Sequence, residues 1–236
     1  MNRKEMFKRF KKPGEKENKN FGFIFHILRH LSYWISIPFV YAPFTPNQIT
    51  LLTNTLQVSS VFVVAYAEGY NKLFGVLIFY IGGIFDFVDG NIARYKNQST
   101  TKGIFYDQLG HVFVGPLFYI GIGLAAYNNN LDIKYLYMTI TIAMFVPLMS
   151  YQISVSPQYF RTKIKQTAAD NFVNNSSNKN TMQILKKLIA WFYHFKIEIL
   201  AVAILINKLE ILTVISTIYF VMRFILQLYL DQKKIK

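Results

Sequence analysis

Leu73-Phe-Gly-Val-Leu-Ile-Phe-Tyr-Ile-Gly-Gly-Ile-Phe-Asp86-Phe-Val-Asp89-Gly90-Asn-Ile-Ala93-Arg94 carries no charge until Asp86 and then sets two carboxylates and an arginine in its last third. Its length matches the roughly 20 residues a helix needs to cross a hydrocarbon core about 30 Å thick. Ionisable side chains are costly inside such a helix and mark function by default. The stretch therefore predicts a membrane-spanning helix with a site at one end.

The rest of the chain fits that setting. Of 236 residues 53% are hydrophobic, 17% aromatic and only 16% charged, too apolar for a soluble domain whose surface must be polar. The formal net charge of +14 would in a soluble protein point to nucleic acid. Here the basic residues stand at the ends of apolar stretches, so no nucleic-acid partner is expected and membrane lipid takes its place. Cysteine is absent, which excludes disulfides and thiolate metal sites. Residues 1–20 are charged throughout, and the apolar stretch after them holds Arg29 and His30 without a small-residue cleavage site. A cleaved signal peptide is not expected.

Working outward from residues 73–94, hydropathy predicts an all-α integral membrane protein with six transmembrane helices, at 49–67, 73–94, 103–127, 133–155, 195–206 and 211–230. Three regions follow: a basic cytoplasmic N-terminal segment at 1–20, an interfacial amphipathic helix at 21–44 and a six-helix membrane catalytic domain at 45–236. Within the second, Phe21 to Tyr41 mixes aromatics with His26, Arg29 and His30 and stops near Pro38 and Pro43. An extra spanning helix is the alternative there, at the cost of polar groups in mid-bilayer. Residues 156–193 form the one long connection, in which the Asn/Ser-rich run 171–180 is expected to be mobile. Arg161, Lys163 and Lys165 precede that run and suit anionic lipid or an acceptor phosphate. No internal repeat is visible.

With the N-terminus placed in the cytoplasm, only Lys72, Lys134 and Lys208 of the 26 Lys and Arg fall on the far side, and Arg223 lies within the last span. That asymmetry sets an even number of crossings with both termini inside, and it turns the carboxylates toward the cytoplasm. A bacterial inner membrane is the expected location.

Asp86 and Asp89 are three apart on a helix, with Gly90 and Ala93 on the same face, and Gly103, Asp107, His111 and Gly115 repeat at intervals of four on the next. Two small-residue faces can approach closely, which would gather the three Asp around one ion. Hard oxygen donors without Cys suit Mg²⁺, Mn²⁺ or Ca²⁺, and Mg²⁺ is the ion most often shared between carboxylates and a diphosphate.

Asp86-x2-Asp89-Gly90-x2-Ala93-Arg94-x8-Gly103-x3-Asp107-x3-His111 resembles the signature of the CDP-alcohol phosphotransferases, D-x2-D-G-x2-A-R-x8-G-x3-D-x3-D, at every fixed position but the last. Thr45-Pro46-Asn47-Gln48-Ile49-Thr50 is similar to the P-N-x-x-T element that family members often carry before the first span. The resemblance implies that Asp86, Asp89 and Asp107 hold Mg²⁺ or Mn²⁺, that Gly90 and Ala93 leave room for a cytidine nucleotide, and that Arg94 lies near it, with Asn47 and Thr50 adding hydrogen bonds. It also implies a CDP-linked donor, an alcohol acceptor, release of CMP and a homodimer, in phospholipid or surface-glycan synthesis. The family's last carboxylate is taken as a second-metal ligand and as the base, and here it is His111. Imidazole is a poor Mg²⁺ ligand but a good base near neutral pH, so His111 is expected to hold a second metal only weakly and, with Asp107, to form the catalytic pair.

Three other readings stand beside this one. The Asp residues could close onto Arg94 or Arg223 as buried ion pairs, or His111 could mark a site that binds nucleotide without turnover. Intramembrane carboxylates also occur in cation transporters, although residues 115–127 are almost wholly apolar and offer no polar path.

Overall fold

A computed structural model describes residues 3–11, 23–161 and 195–235, and for Phe23, His111, 149–161 and 230–235 the backbone alone. Among these residues the regular structure is helical throughout. In chain order the helices are α1 (Arg3–Phe10), α2 (Phe23–Tyr41), α3 (Pro46–Tyr66), α4 (Lys72–Tyr95), α5 (Thr101–Asn130), α6 (Lys134–Arg161), α7 (Lys196–Leu205) and α8 (Leu209–Ile235).

Local chemistry sets these ends. Thr45 opens α3 with a capping box: its hydroxyl accepts from the Gln48 backbone N–H, the Gln48 side chain accepts from the Thr45 N–H, and Pro46 follows in the first turn. The return from α3 to α4 turns at Gly69, whose φ of +50° suits glycine. Lys72 then reaches back to the Ala67 carbonyl. At the other end of α4, Asn97 takes the left-handed conformation at φ 52° and the Gln98 N–H closes onto the Ala93 carbonyl at 2.9 Å, a Schellman stop. The Thr100 hydroxyl caps α5 by accepting from the Gly103 N–H at 3.0 Å.

Four of the helical segments are long and apolar enough to cross a membrane: Pro46–Tyr66, Gly69–Tyr95, Thr101–Asn130 and Leu209–Tyr229. Their outward apolar side chains, among them Phe62, Leu77, Phe113, Ile218 and Met222, would be a liability in water and are natural against lipid. α6 is apolar over Lys134–Leu148, the part whose side chains are described, and α7 has ten residues. Four of the six expected spans thus have such a helix among the described residues, and residues 162–194, with Lys163, Lys165, His194 and the Asn/Ser-rich run, lie outside them, as does the Arg161 side chain.

α3 is the central wall. α4 and α5 both pack along it, α6 and α8 lie beyond α5, and α2 crosses α4. The core between them is aromatic and aliphatic, with Phe79, Phe118, Tyr119, Ile122, Leu200 and Phe220 at its centre. Phe79 of α4 meets Phe118 of α5 edge to face at 5.1 Å between ring centroids.

Within residues 1–20, the described helix Arg3–Phe10 buries two apolar side chains. Met6 and Phe10 of α1 are 2% and 0% exposed, and with Tyr33 of α2 they form a small core of their own, flanked by Tyr95 of α4.

Candidate metal and nucleotide site

Asp86 and Asp89 sit in the last turns of α4 and Asp107 in the second turn of α5. The structure brings the three together: each offers a carboxylate oxygen, and these atoms lie within 4.8 Å of one another. An ion bound at 2.0–2.6 Å from each oxygen needs oxygen separations of roughly 4–5 Å or less, so the arrangement fits one hard divalent cation. Among the described residues no other three acidic or histidine side chains come so close. Asp89 is buried, while Asp86 and Asp107 are partly open.

The means of convergence differs from the expected meeting of two small-residue faces. Gly75, Gly82, Gly103, Gly110 and Gly121 face α3 and Gly115 and Gly123 face α6, while Gly90 lies under Arg94 of its own helix and Gly83 faces open space. A Cβ on Gly75 would stand 2.6 Å from Val64 Cγ2 and 2.8 Å from the Ser60 carbonyl oxygen, and one on Gly82 would stand 2.8 Å from Gln57 Cγ. On α5, a Cβ on Gly103 would meet Asn47 Oδ1 at 2.9 Å and one on Gly121 would meet Val61 Cγ1 at 2.8 Å. Gly110 lies directly on the Asn54 amide, and Gly115 faces Val146 of α6. Small residues let backbones close up, and here α3 takes up that closeness from both sides. The three Asp are then left at the end of the groove between α4 and α5.

α3 also supplies a direct contact. The Thr50 hydroxyl lies 2.7 Å from Asp89 Oδ2 and 3.1 Å from the Pro46 carbonyl. A hydrogen bond of this kind fixes the orientation of a ligating carboxylate. The expectation for Thr50 was a bond to nucleotide, whereas the structure sets the hydroxyl against a metal-ligand candidate. Asn47 is exposed and stands against Gly103.

Arg94 folds back along its own helix. A Cβ on Gly90 would lie 3.2 Å from Arg94 Nη1 and 3.3 Å from Nη2, so the guanidinium covers the residue next to Asp89. Arg94 Nε donates to the Phe10 carbonyl at 2.7 Å, and Nη2 donates to Asn91 Oδ1 at 3.0 Å. Ala93 is partly buried on the same stretch. His111 belongs to α5 one turn beyond Asp107, and its side chain lies outside the described residues.

One group of residues has no counterpart in the sequence reading. Asn91, fully buried, accepts from Arg29 Nη1 of α2 at 3.0 Å as well as from Arg94, and its amide donates to Ser36 Oγ at 3.0 Å and Ser32 Oγ at 3.3 Å. The signal for it was Arg29 in an apolar helix, since a cation there needs a partner. Nothing in the order of residues says that the partner is Asn91.

Residues 44–226 match the family model for CDP-alcohol phosphatidyltransferase. No curated protein matches the chain.

Proposed function

The chain belongs to the CDP-alcohol phosphatidyltransferase family, and on that premise we propose that it is a membrane transferase passing a substituted phosphate from a CDP-linked donor to an alcohol with release of CMP. The observation that carries the reading is the convergence of Asp86, Asp89 and Asp107, with oxygens within 4.8 Å. A family of phosphotransfer enzymes and a divalent-cation cradle require the same thing, an anionic diphosphate held against charge build-up.

In this reading the three Asp hold Mg²⁺ or Mn²⁺, which supplies electrostatic stabilisation of the diphosphate and of the departing CMP. Thr50 keeps the Asp89 carboxylate turned to the site. Gly90 and Ala93 keep the wall beside the nucleotide low, Arg94 directs its guanidinium at phosphate oxygens, and Asn47 faces the nucleotide from α3. The acceptor oxygen attacks the phosphorus bearing the alcohol group as the bond to CMP breaks, and the acceptor proton passes to His111, one turn beyond Asp107. If His111→Ala kept normal turnover across pH, that assignment would be excluded.

The finer reading is of six spans, both termini and the site on the cytoplasmic side of a bacterial inner membrane, and a homodimer. CDP-diacylglycerol with a small polar acceptor is favoured as the substrate pair, because the chain is compact. A CDP-linked headgroup with a lipid or glycan alcohol is the other choice.

The test is CMP release by purified protein given Mg²⁺ or Mn²⁺ and a panel of CDP-linked donors, with loss on chelation and recovery on adding the ion. Nucleotide binding without CMP release from any donor would instead mark a non-catalytic member. Ion uptake into vesicles without CMP release would mark a transporter.

A further inference from the structure

The family match begins at residue 44, yet the motif arginine donates one hydrogen bond to a residue before it. Arg94 Nε donates to the carbonyl of Phe10, the last residue of α1, where the unsatisfied carbonyls and the negative end of the helix dipole favour a cation. Arg94 Nη2 shares Asn91 Oδ1 with Arg29 Nη1 of α2. Asn91 is itself fixed through its amide by Ser32 and Ser36, whose hydroxyls are spent on the Arg29 and Ser32 carbonyls at 2.7 and 2.6 Å. α1 stays in place through aromatic packing: Phe10 lies 6.3 Å from Tyr33 at an interplanar angle of 16° and 5.8 Å from Tyr95, while Phe7 meets Trp34 edge on at 5.3 Å.

We propose that α1 is a positioning element of the donor site: docked on α2 and α4, it fastens Arg94 so that the guanidinium stands over Gly90 before the donor arrives. The inference rests on the reading that the donor's diphosphate binds beside Asp86, Asp89 and Asp107. A free arginine side chain loses much rotamer freedom when it grips a phosphate, and one already bonded at Nε and Nη2 has less to lose. The effect belongs to donor affinity, since it acts through the guanidinium that meets the donor's phosphates.

The experiment compares donor KM, acceptor KM and kcat for CMP release by the full-length protein and by a Met6→Asp/Phe10→Asp variant, which places two carboxylates in the aromatic pocket and undocks α1. Donor KM is expected to rise roughly 3- to 10-fold, the range for one side chain newly immobilised on binding, with kcat and acceptor KM little changed. Arg94→Lys alone should raise donor KM, and combining it with the undocking pair should add little further, because both act through one guanidinium. Lys8→Gln/Lys11→Gln removes exposed charge from the same segment and should leave donor KM where it was.

Should the double Asp variant fail to fold, a protease site inserted between Lys11 and Phe23 lets α1 be cut away after folding. Donor KM should then rise and return when a peptide of residues 1–11 is added. An unchanged donor KM after undocking or cleavage overturns the proposal, as do effects that multiply with Arg94→Lys, or a Lys8→Gln/Lys11→Gln variant that matches the undocked one. Wild-type protein that releases no CMP from any donor would instead sink the underlying transferase reading.

Discussion

Between Lys72 and Gly82, α4 is held to α3 by shape, with Gly75 and Gly82 admitting Val64 and Gln57 to near backbone contact, whereas between Val88 and Arg94 it is held by hydrogen bonds. In the first stretch, beyond the bond from Lys72 to the Ala67 carbonyl at its start, the fit to α3 is one of volume. In the second, Asp89 bonds Thr50, Asn91 bonds two arginines and two serines, and Arg94 bonds the end of α1. One helix thus carries a packing half, which sets how close α3 lies, and a bonded half, which sets where charges point. The difference teaches that packing can be disturbed apart from charge placement along α4: substitutions in the first half should spare activity per folded molecule, and those in the second should not.

Asp89→Ala should have the largest effect, lowering CMP release about 1,000-fold as several kcal/mol of metal-borne charge stabilisation are lost, while melting in detergent changes far less. Asn91→Ala deletes the shared acceptor of Arg29 and Arg94 in a fully buried place, and it should cost about 3 kcal/mol of stability in a denaturant melt, together with weaker donor binding. Gly75→Val drives a side chain into Val64 and the Ser60 carbonyl, and it should cost about 2 kcal/mol, with activity per folded molecule retained. That variant is the sharpest challenge to the comparison, since a well-folded but inactive Gly75→Val protein would mean the two halves are not separable. Thr50→Val keeps shape and removes one hydroxyl, for about 1 kcal/mol, read as a several-fold higher Mg²⁺ requirement at unchanged maximal rate.

The sequence reading and the structure agree on α3, α4 and α5 to within a few residues at most ends, because apolar length and local caps such as Thr45-Pro46 and Thr100 act within one helix. The convergence of three Asp was also legible, since charge in an apolar run is conspicuous. What was hidden depends on partners far apart in the chain. The glycines announce close packing without saying against what, and α3 rather than the opposing helix proved to be the answer. α1 was hidden for a related reason: Met6 and Phe10 are an ordinary amphipathic pair until Tyr33 and Tyr95 are brought to them. Asn91 occupies an unspecified position of the motif, and its burial between Arg29 and Arg94 comes from the crossing of α2 over α4.

The bond between Arg94 and the Phe10 carbonyl spans 84 residues, and it has a consequence for biosynthesis. An eight-residue helix is too short to persist alone in water. α1 precedes α4 in the chain, and until α4 is in place it has only the Tyr33 and Trp34 side of its dock, on α2. Complete docking of α1 therefore follows the folding of α2, α3 and α4, and it is timed by the arrival of the arginine it receives.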